Sequence, residues 1–252
     1  MLRDKLLEHG AGAERGFRWR SHEITRIEGL SDGVFAFAVT LLVVSLEVPK
    51  TFDELWVMMR GFGAFAVCFA MLIQLWHAQY LFFRRYGLQD SITIALNCVL
   101  LFLVLFYVYP LKFLFTFVIS MWTGGGNAVR LPDGSVHRII HDNQIVTLMV
   151  VYGLGFAAVF VILALLYAHA NRRSAALQLT PVEAFDTRTS AWQHLATASV
   201  GFLSVAIALA LGPAWAGLAG LSYMLIAVVQ TVLGTMRGKR RRRLIAGLAA
   251  SA

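Results

Sequence analysis

The chain has 252 residues, of which 58% are hydrophobic and only 14% charged, with a mean hydropathy of +0.68. Soluble domains run at about 45–50% apolar and about 25% charged, so a soluble fold of this length has too little interior to hide the apolar surface, which argues against a soluble enzyme. Twenty-two Lys and Arg against 14 Asp and Glu give a net charge of +8, which in a membrane protein is first a topology signal and only then a signal about partners.

Residues 1–26 are polar and mixed in charge, and no short apolar stretch followed by a small-residue cleavage site occurs there; they read as a retained tail, not a signal peptide. A membrane helix needs ~20 mostly apolar residues. Six segments meet that requirement: 27–47, 56–82, 91–120, 144–170, 190–211 and 214–235. Pro110 predicts a kink in the long third segment. The one long loop, 121–143, contains a Pro-Asp-Gly turn at 132–134, and Leu211-Gly212-Pro213 predicts a tight hairpin between the fifth and sixth segments. Residues 236–252 read as a basic tail. The predicted fold is all-α: a polytopic membrane protein with one six-helix unit over 27–235. A β-barrel is excluded by run length, because its strands alternate and are only ~9–11 residues long.

The Lys and Arg distribution orients this unit. With six spans, 17 of them fall on one face, in the N-terminal tail, beside Arg84 and Arg85, around Arg172, Arg173 and Arg188, and in the C-terminal tail. Lys50, Arg130, Arg138 and Lys112 fall on or near the other. The bias predicts a multi-pass cell-membrane protein with both termini in the cytoplasm. Cys68 and Cys98 lie in apolar stretches and offer neither a disulfide framework nor metal spacing, and the seven histidines form no HExxH-type pattern. No metal, cofactor or enzymatic role is expected.

The first segment concentrates the polar chemistry: Arg26, Ser31, Asp32, Thr40 and Glu47 lie in or at the ends of an apolar run, where charged groups are expensive and therefore functional candidates. At about 100° per residue, Phe37, Leu41, Val44, Thr40, Val34 and Leu30 form one stripe, with Asp32 turned away from it. Arg26 and His77 are the expected partners of Asp32, and Asn97 is a further buried hydrogen-bonding candidate. Asp32, Ser31 and His77 read either as mutually satisfied groups in a packed core or as a proton relay. Thr40 either faces an axis or bonds back to the carbonyl four residues earlier.

Other features carry less. No Thr-Val-Gly-Tyr-Gly filter and no regular Arg ladder occurs, so filter-type and voltage-sensor mechanisms are not indicated. Tyr152-Gly-Leu-Gly155 reads as close helix packing, and Gly124-Gly-Gly126 as a flexible loop. The run Lys239–Arg243 predicts contact with anionic lipid; nothing accompanies it that reads nucleic acid.

Arg26, Ser31, Asp32, Thr40 and Leu41 resemble the signature of the transmembrane protein 175 family of potassium channels, which runs Arg, three variable residues, Phe-Ser-Asp and an apolar helix with a Thr-Leu pair. Leu30 stands where Phe is usual. Trp76-His77, Asn97 and Pro110 fit the supporting pattern, and the resemblance covers the first three segments best. It implies a homotetramer in the lipid bilayer, with the first helix of each copy around a central potassium pore. It also implies pore layers at Phe37, Leu41 and Val44 and a hydroxyl ring at Thr40. Bulky apolar rings close such a pore by dewetting, and a Phe ring where the family has Ile or Leu implies either a tighter constriction or a ring that swings as a gate. The alternative reading is a proton-coupled transporter of a small solute using Asp32, His77 and Glu47, although paired repeats and broken helices are not evident.

Overall fold

The computed structural model describes residues 17–21, 23–44, 50–122, 126–130 and 135–250. Three helices come first: α1 (Arg26–Val44), α2 (Phe52–Tyr86) and α3 (Ser91–Trp122). A short antiparallel hairpin follows, β1 (Ala128–Arg130) with β2 (Val136–Arg138), in which Ala128 faces Arg138 and Val129 faces His137. Then come α4 (Asp142–Arg172) and α5 (Pro181–Leu211). The last span, Pro213–Ala250, contains α6 (Ala216–Leu221) and α7 (Leu225–Ala250), each preceded by a single 3-10 turn.

Among the described residues, five helical spans are long and apolar enough to cross a membrane. With α1, whose first two turns carry Arg26, Glu28 and Asp32, they make the six membrane helices that the hydropathy predicts. The loop expected over 121–143 contains the small hairpin, closed by Asn127, whose amide donates to Ile140 O at 2.7 Å and accepts from Ile140 N at 2.9 Å. The Pro-Asp-Gly turn lies outside the described residues, as do Glu47 and Val48. The Leu211–Pro213 hairpin is present: Gly212 has φ 73° and ends α5, its N–H donating to Ala208 O, a left-handed conformation open to glycine at no steric cost.

Helix starts follow local chemistry. Thr180 and Glu183 cap each other's backbone N–H groups at the start of α5, with Pro181 in its first turn. Thr25 and Glu28 do the same for α1 at 2.8 and 3.3 Å. Two differences from the hydropathy reading share one cause. Helix α5 begins at Pro181, well before residue 190, because its polar first turns are paired by groups distant in sequence. Helix α7 runs unbroken through the basic residues read as a tail, as far as Ala250.

The packing divides into two clusters. Phe35, Ala38 and Leu42 of α1 pack with Cys68 and Leu72 of α2 and with Leu101, Val104 and Val108 of α3. Where α2 and α4 end, Phe82, Phe83, Tyr86, Leu163, Leu166 and Tyr167 enclose Phe17, which is 2% exposed. Helices α4 and α5 form the most extensive pair. The Tyr152-Gly-Leu-Gly155 motif explains their approach: a Cβ on Gly153 falls 2.5 Å from Val205 and 3.0 Å from Gly201 O on α5, and one on Gly155 falls 1.8 Å from the Tyr107 ring on α3. The two glycines therefore admit different neighbours on two sides of α4, as expected of small residues at membrane helix contacts.

Candidate functional site

Helix α1 presents two unlike faces. Ser31, Phe35, Ala38 and Leu42 are buried, and Glu28 joins them at 8% exposure. Arg26, Gly29, Leu30, Gly33, Ala36, Phe37, Thr40 and Val43 form a continuous exposed stripe. These spacings of three and four are the helical period. Phe37 is 56% exposed, a large aromatic surface left mostly uncovered by the described residues. The stripe is centred on Gly33 and Thr40, turned from the Phe37–Leu41 line drawn from the sequence. Leu41 and Val34 are half-buried and pack against the α1–α3 cluster; the Val44 side chain lies outside the described residues.

Thr40 Oγ donates to Ala36 O at 2.9 Å, the local back-bond available to a hydroxyl in a membrane helix. That bond coexists with its place on the exposed face, so the two alternatives read from the sequence are compatible.

The buried face is fixed by a hydrogen-bonded chain across three helices. Gln79 Nε2 of α2 donates to Asn97 Oδ1 of α3 at 2.5 Å, Asn97 Nδ2 donates to Ser31 Oγ of α1 at 3.0 Å, and Ser31 Oγ donates to Ile27 O at 2.7 Å. Gln79, Asn97 and Ser31 are 2%, 0% and 1% exposed. Such groups persist in an apolar interior only when paired, and here the pairing fixes the rotation of α1 on α2 and α3.

Asp32 has a different partner from those expected. Trp76 Nε1 donates to Asp32 Oδ1 at 2.7 Å, while the exposed His77 lies against the Tyr80 ring. Arg26 lies at the start of the exposed stripe. The structure therefore joins Ser31 to Asn97 and Asp32 to Trp76, and does not bring His77 to Asp32. Gln79 escaped the sequence reading, although a lone glutamine inside a span is itself a signal of buried pairing.

The segment before α1 is a strap docked on the bundle. Arg20 Nη2 lies 2.7 Å from Glu183 Oε2, Arg20 Nε donates to Leu177 O at 2.8 Å, and Arg18 N donates to Glu183 Oε1 at 2.8 Å. Arg20 N donates to Arg84 O at 3.0 Å. The Tyr86 hydroxyl inside this docking site donates to Thr187 Oγ at 2.8 Å.

Two further polar clusters lie at the same end. Asp186, 5% exposed, accepts from Arg237 at 3.0 Å and Arg241 at 2.9 Å, which ties α7 to α5. Asp90, between α2 and α3, accepts from the Thr93 hydroxyl, from His169 Nε2 at 2.6 Å and from Arg173 at 3.4 Å. Burial pushes the Asp90 carboxyl up, but the hydrogen bonds from Thr93 and His169 and the His169 charge outweigh it, leaving the carboxyl below its ordinary 3.8. Among the described residues, no group of three or more His, Cys, Asp or Glu is placed to hold a metal ion.

The family model described as endosomal/lysosomal potassium channel TMEM175 matches residues 26–110, the segment that contains α1, α2 and the Ser31–Asn97–Gln79 chain. A curated potassium channel of Marivirga tractuosa is 40% identical over 246 residues, covering 96% of this chain and 98% of its own length. A potassium channel of Chamaesiphon minutus is 32% identical over 105 residues, 38% of this chain and 52% of its own. Among solved structures, a variant of the potassium channel MtTMEM175, crystallised with a nanobody–MBP fusion protein, superposes with a TM-score of 0.77 at 38% identity, over 90% of this chain and 99% of that one. The structure of a lysosomal potassium-selective channel TMEM175 homologue from Chamaesiphon minutus gives 0.50 at 22% identity, over 86% of this chain and 96% of that one, a likeness of fold.

Proposed function

The chain belongs to the TMEM175 family of potassium channels, and from that premise we propose that it conducts potassium passively through a pore built from copies of α1. One observation carries the reading: α1 turns one face into its own chain and leaves the opposite face, Gly33, Phe37 and Thr40, uncovered along its described length. A single chain supplies one such helix and encloses nothing with it. Four copies meeting on that stripe form a closed wall, with the homotetramer lying in the cell membrane.

In this reading Phe37 supplies the constriction. Four aromatic rings facing one axis exclude water until the helices tilt apart, and dewetting closes the path to a hydrated ion. Gly33 and Ala36 leave room for the helices to approach on the inner side, and Thr40 places a hydroxyl ring just beyond the constriction. The groups behind the pore, Ser31, Asn97 and Gln79, hold the rotation that presents Phe37 inward. Leu41, half-buried at the edge of that face, flanks the path.

The basic face of α7 contacts anionic lipid in the cytoplasmic leaflet. At about 1.5 Å per residue the 38-residue span Pro213–Ala250 outruns a ~30 Å hydrocarbon layer. Lys239, Arg240, Arg242 and Arg243 are exposed, whereas Arg237 and Arg241 turn inward to Asp186. Both termini then lie in the cytoplasm.

Purified protein in liposomes should carry potassium flux that follows the gradient, and Phe37→Ala should raise it. Mass measurement in detergent should give four chains. Absence of flux across a range of pH and voltage, or a particle of one chain, would overturn the reading.

A further inference from the structure

Lys112 of α3 reaches the last described turn of α1, where its Nζ donates to Leu42 O at 3.0 Å. Leu42 is itself 1% exposed in the cluster with Cys68, Leu72 and Val104. The residue gripped through its carbonyl is therefore also an anchor of the buried face, two residues beyond Thr40.

Lys112 stands on a braced segment. Pro110, two residues earlier, removes a backbone N–H from α3 and favours bending there. Across that weak point α3 and α4 exchange tyrosines: the Tyr152 hydroxyl of α4 donates to Pro110 O, and the Tyr107 hydroxyl of α3 donates to Val151 O at 3.0 Å. The Tyr107 ring occupies the space that Gly155 leaves on α4. The brace fixes the Lys112 segment to α4, and Lys112 carries that fixation to α1.

We infer that Lys112 is a positioning residue for conduction: it ties α1 at Leu42 through the Pro110 brace to α4 and so opposes the tilt that widens the pore. The inference rests on the reading that α1 lines the pore. It differs from a role for Lys112 as a surface charge, which acts on the ion and not on the helix.

Single-channel recording of the full-length protein separates these. Lys112→Met should raise open probability about tenfold, the scale of one charge-assisted hydrogen bond lost from the closed arrangement. Unitary conductance should stay unchanged, and the shift should be equal at low and high salt. Lys112→Arg, which keeps a donor, should return gating toward wild type. Tyr152→Phe, which loosens the brace without touching the charge, should shift open probability in the same direction, and it carries the test if Lys112→Met fails to assemble. In parallel, Thr40→Cys modified by a cationic thiol reagent should lose current. Current that survives this modification defeats the pore reading. Block at Thr40→Cys together with wild-type gating in Lys112→Met, or in Tyr152→Phe if that variant alone assembles, defeats the assignment of Lys112. So does a salt-dependent change in unitary conductance at unchanged open probability.

Discussion

Arg20 and Glu183, 163 residues apart, meet at 2.7 Å with side chains 14% and 3% exposed. Arg20 precedes α1 by six residues, and Glu183 lies in the first turn of α5, so this pair moors the approach to α1 on α5. Glu183 is fully engaged: it accepts from Arg20, from Arg18 N and from Thr180 N. Phe17, in the same strap, fills the aromatic cluster beside Tyr86 at a ring distance of 5.6 Å.

Removing one partner of this buried pair leaves a carboxylate without its counter-charge. Arg20→Met is expected to destabilise the protein by about 3–5 kcal/mol, the range for breaking such a pair from one side, with Arg20→Lys falling in between. Thermal unfolding of the purified protein measures it, and an unchanged midpoint in Arg20→Met would show that the ion pair does not hold the strap.

Asn97→Ala strands the Gln79 amide and exposes Ser31 to a void. The expected loss is about 1–3 kcal/mol for each polar group left unpaired. Asn97→Leu with Gln79→Leu, which removes polar groups on both sides, should recover part of it. Failure of the double variant to recover stability relative to Asn97→Ala would mean that the pairing is not what the site requires.

Gly155→Ala introduces a methyl where the Tyr107 ring already lies, at 1.8 Å. Because the Tyr107 hydroxyl is committed to Val151 O, the ring cannot swing aside without losing that bond. Overpacking of this kind costs about 1–3 kcal/mol. Tyr107→Ala in the Gly155→Ala background should relieve the clash, so the effects of the two changes should not add; additive losses would refute the contact.

Asp90 supplies a pH dependence. Its carboxyl is held below its ordinary value by Thr93 and His169, so the stabilisation is present above the unfolded value of 3.8 and is lost as pH falls through the lower folded value. Unfolding midpoints recorded from pH 6 down to about 2 should therefore drop more steeply in the wild type than in Asp90→Asn. Parallel curves would remove Asp90 from the account.

The spans were legible in the sequence because long apolar runs have no other home, and Arg26 with Ser31-Asp32 marked α1 as the helix to watch. Its rotation was not legible. Both sides of α1 carry apolar and small residues, so periodicity alone leaves its facing undetermined, and the Asn97–Gln79 chain on two other helices decides it. The same ambiguity misassigned the partner of Asp32: Trp76 and His77 are adjacent in sequence but about 100° apart on α2, and only Trp76 points toward α1. The start of α5 was hidden for a related reason. Glu183 and Asp186 interrupt the apolar run, and their counter-charges, Arg20, Arg237 and Arg241, are far away in the chain.

A hydroxyl has one proton, and Thr40 has already given its own to Ala36 O. What remains outward is the oxygen's electron density. In the proposed pore, a cation passing that face would meet an acceptor, whereas an anion would find no hydroxyl hydrogen there to receive. On that proposal, one intrahelical bond would make the uncovered side of this helix distinguish the sign of a visiting charge.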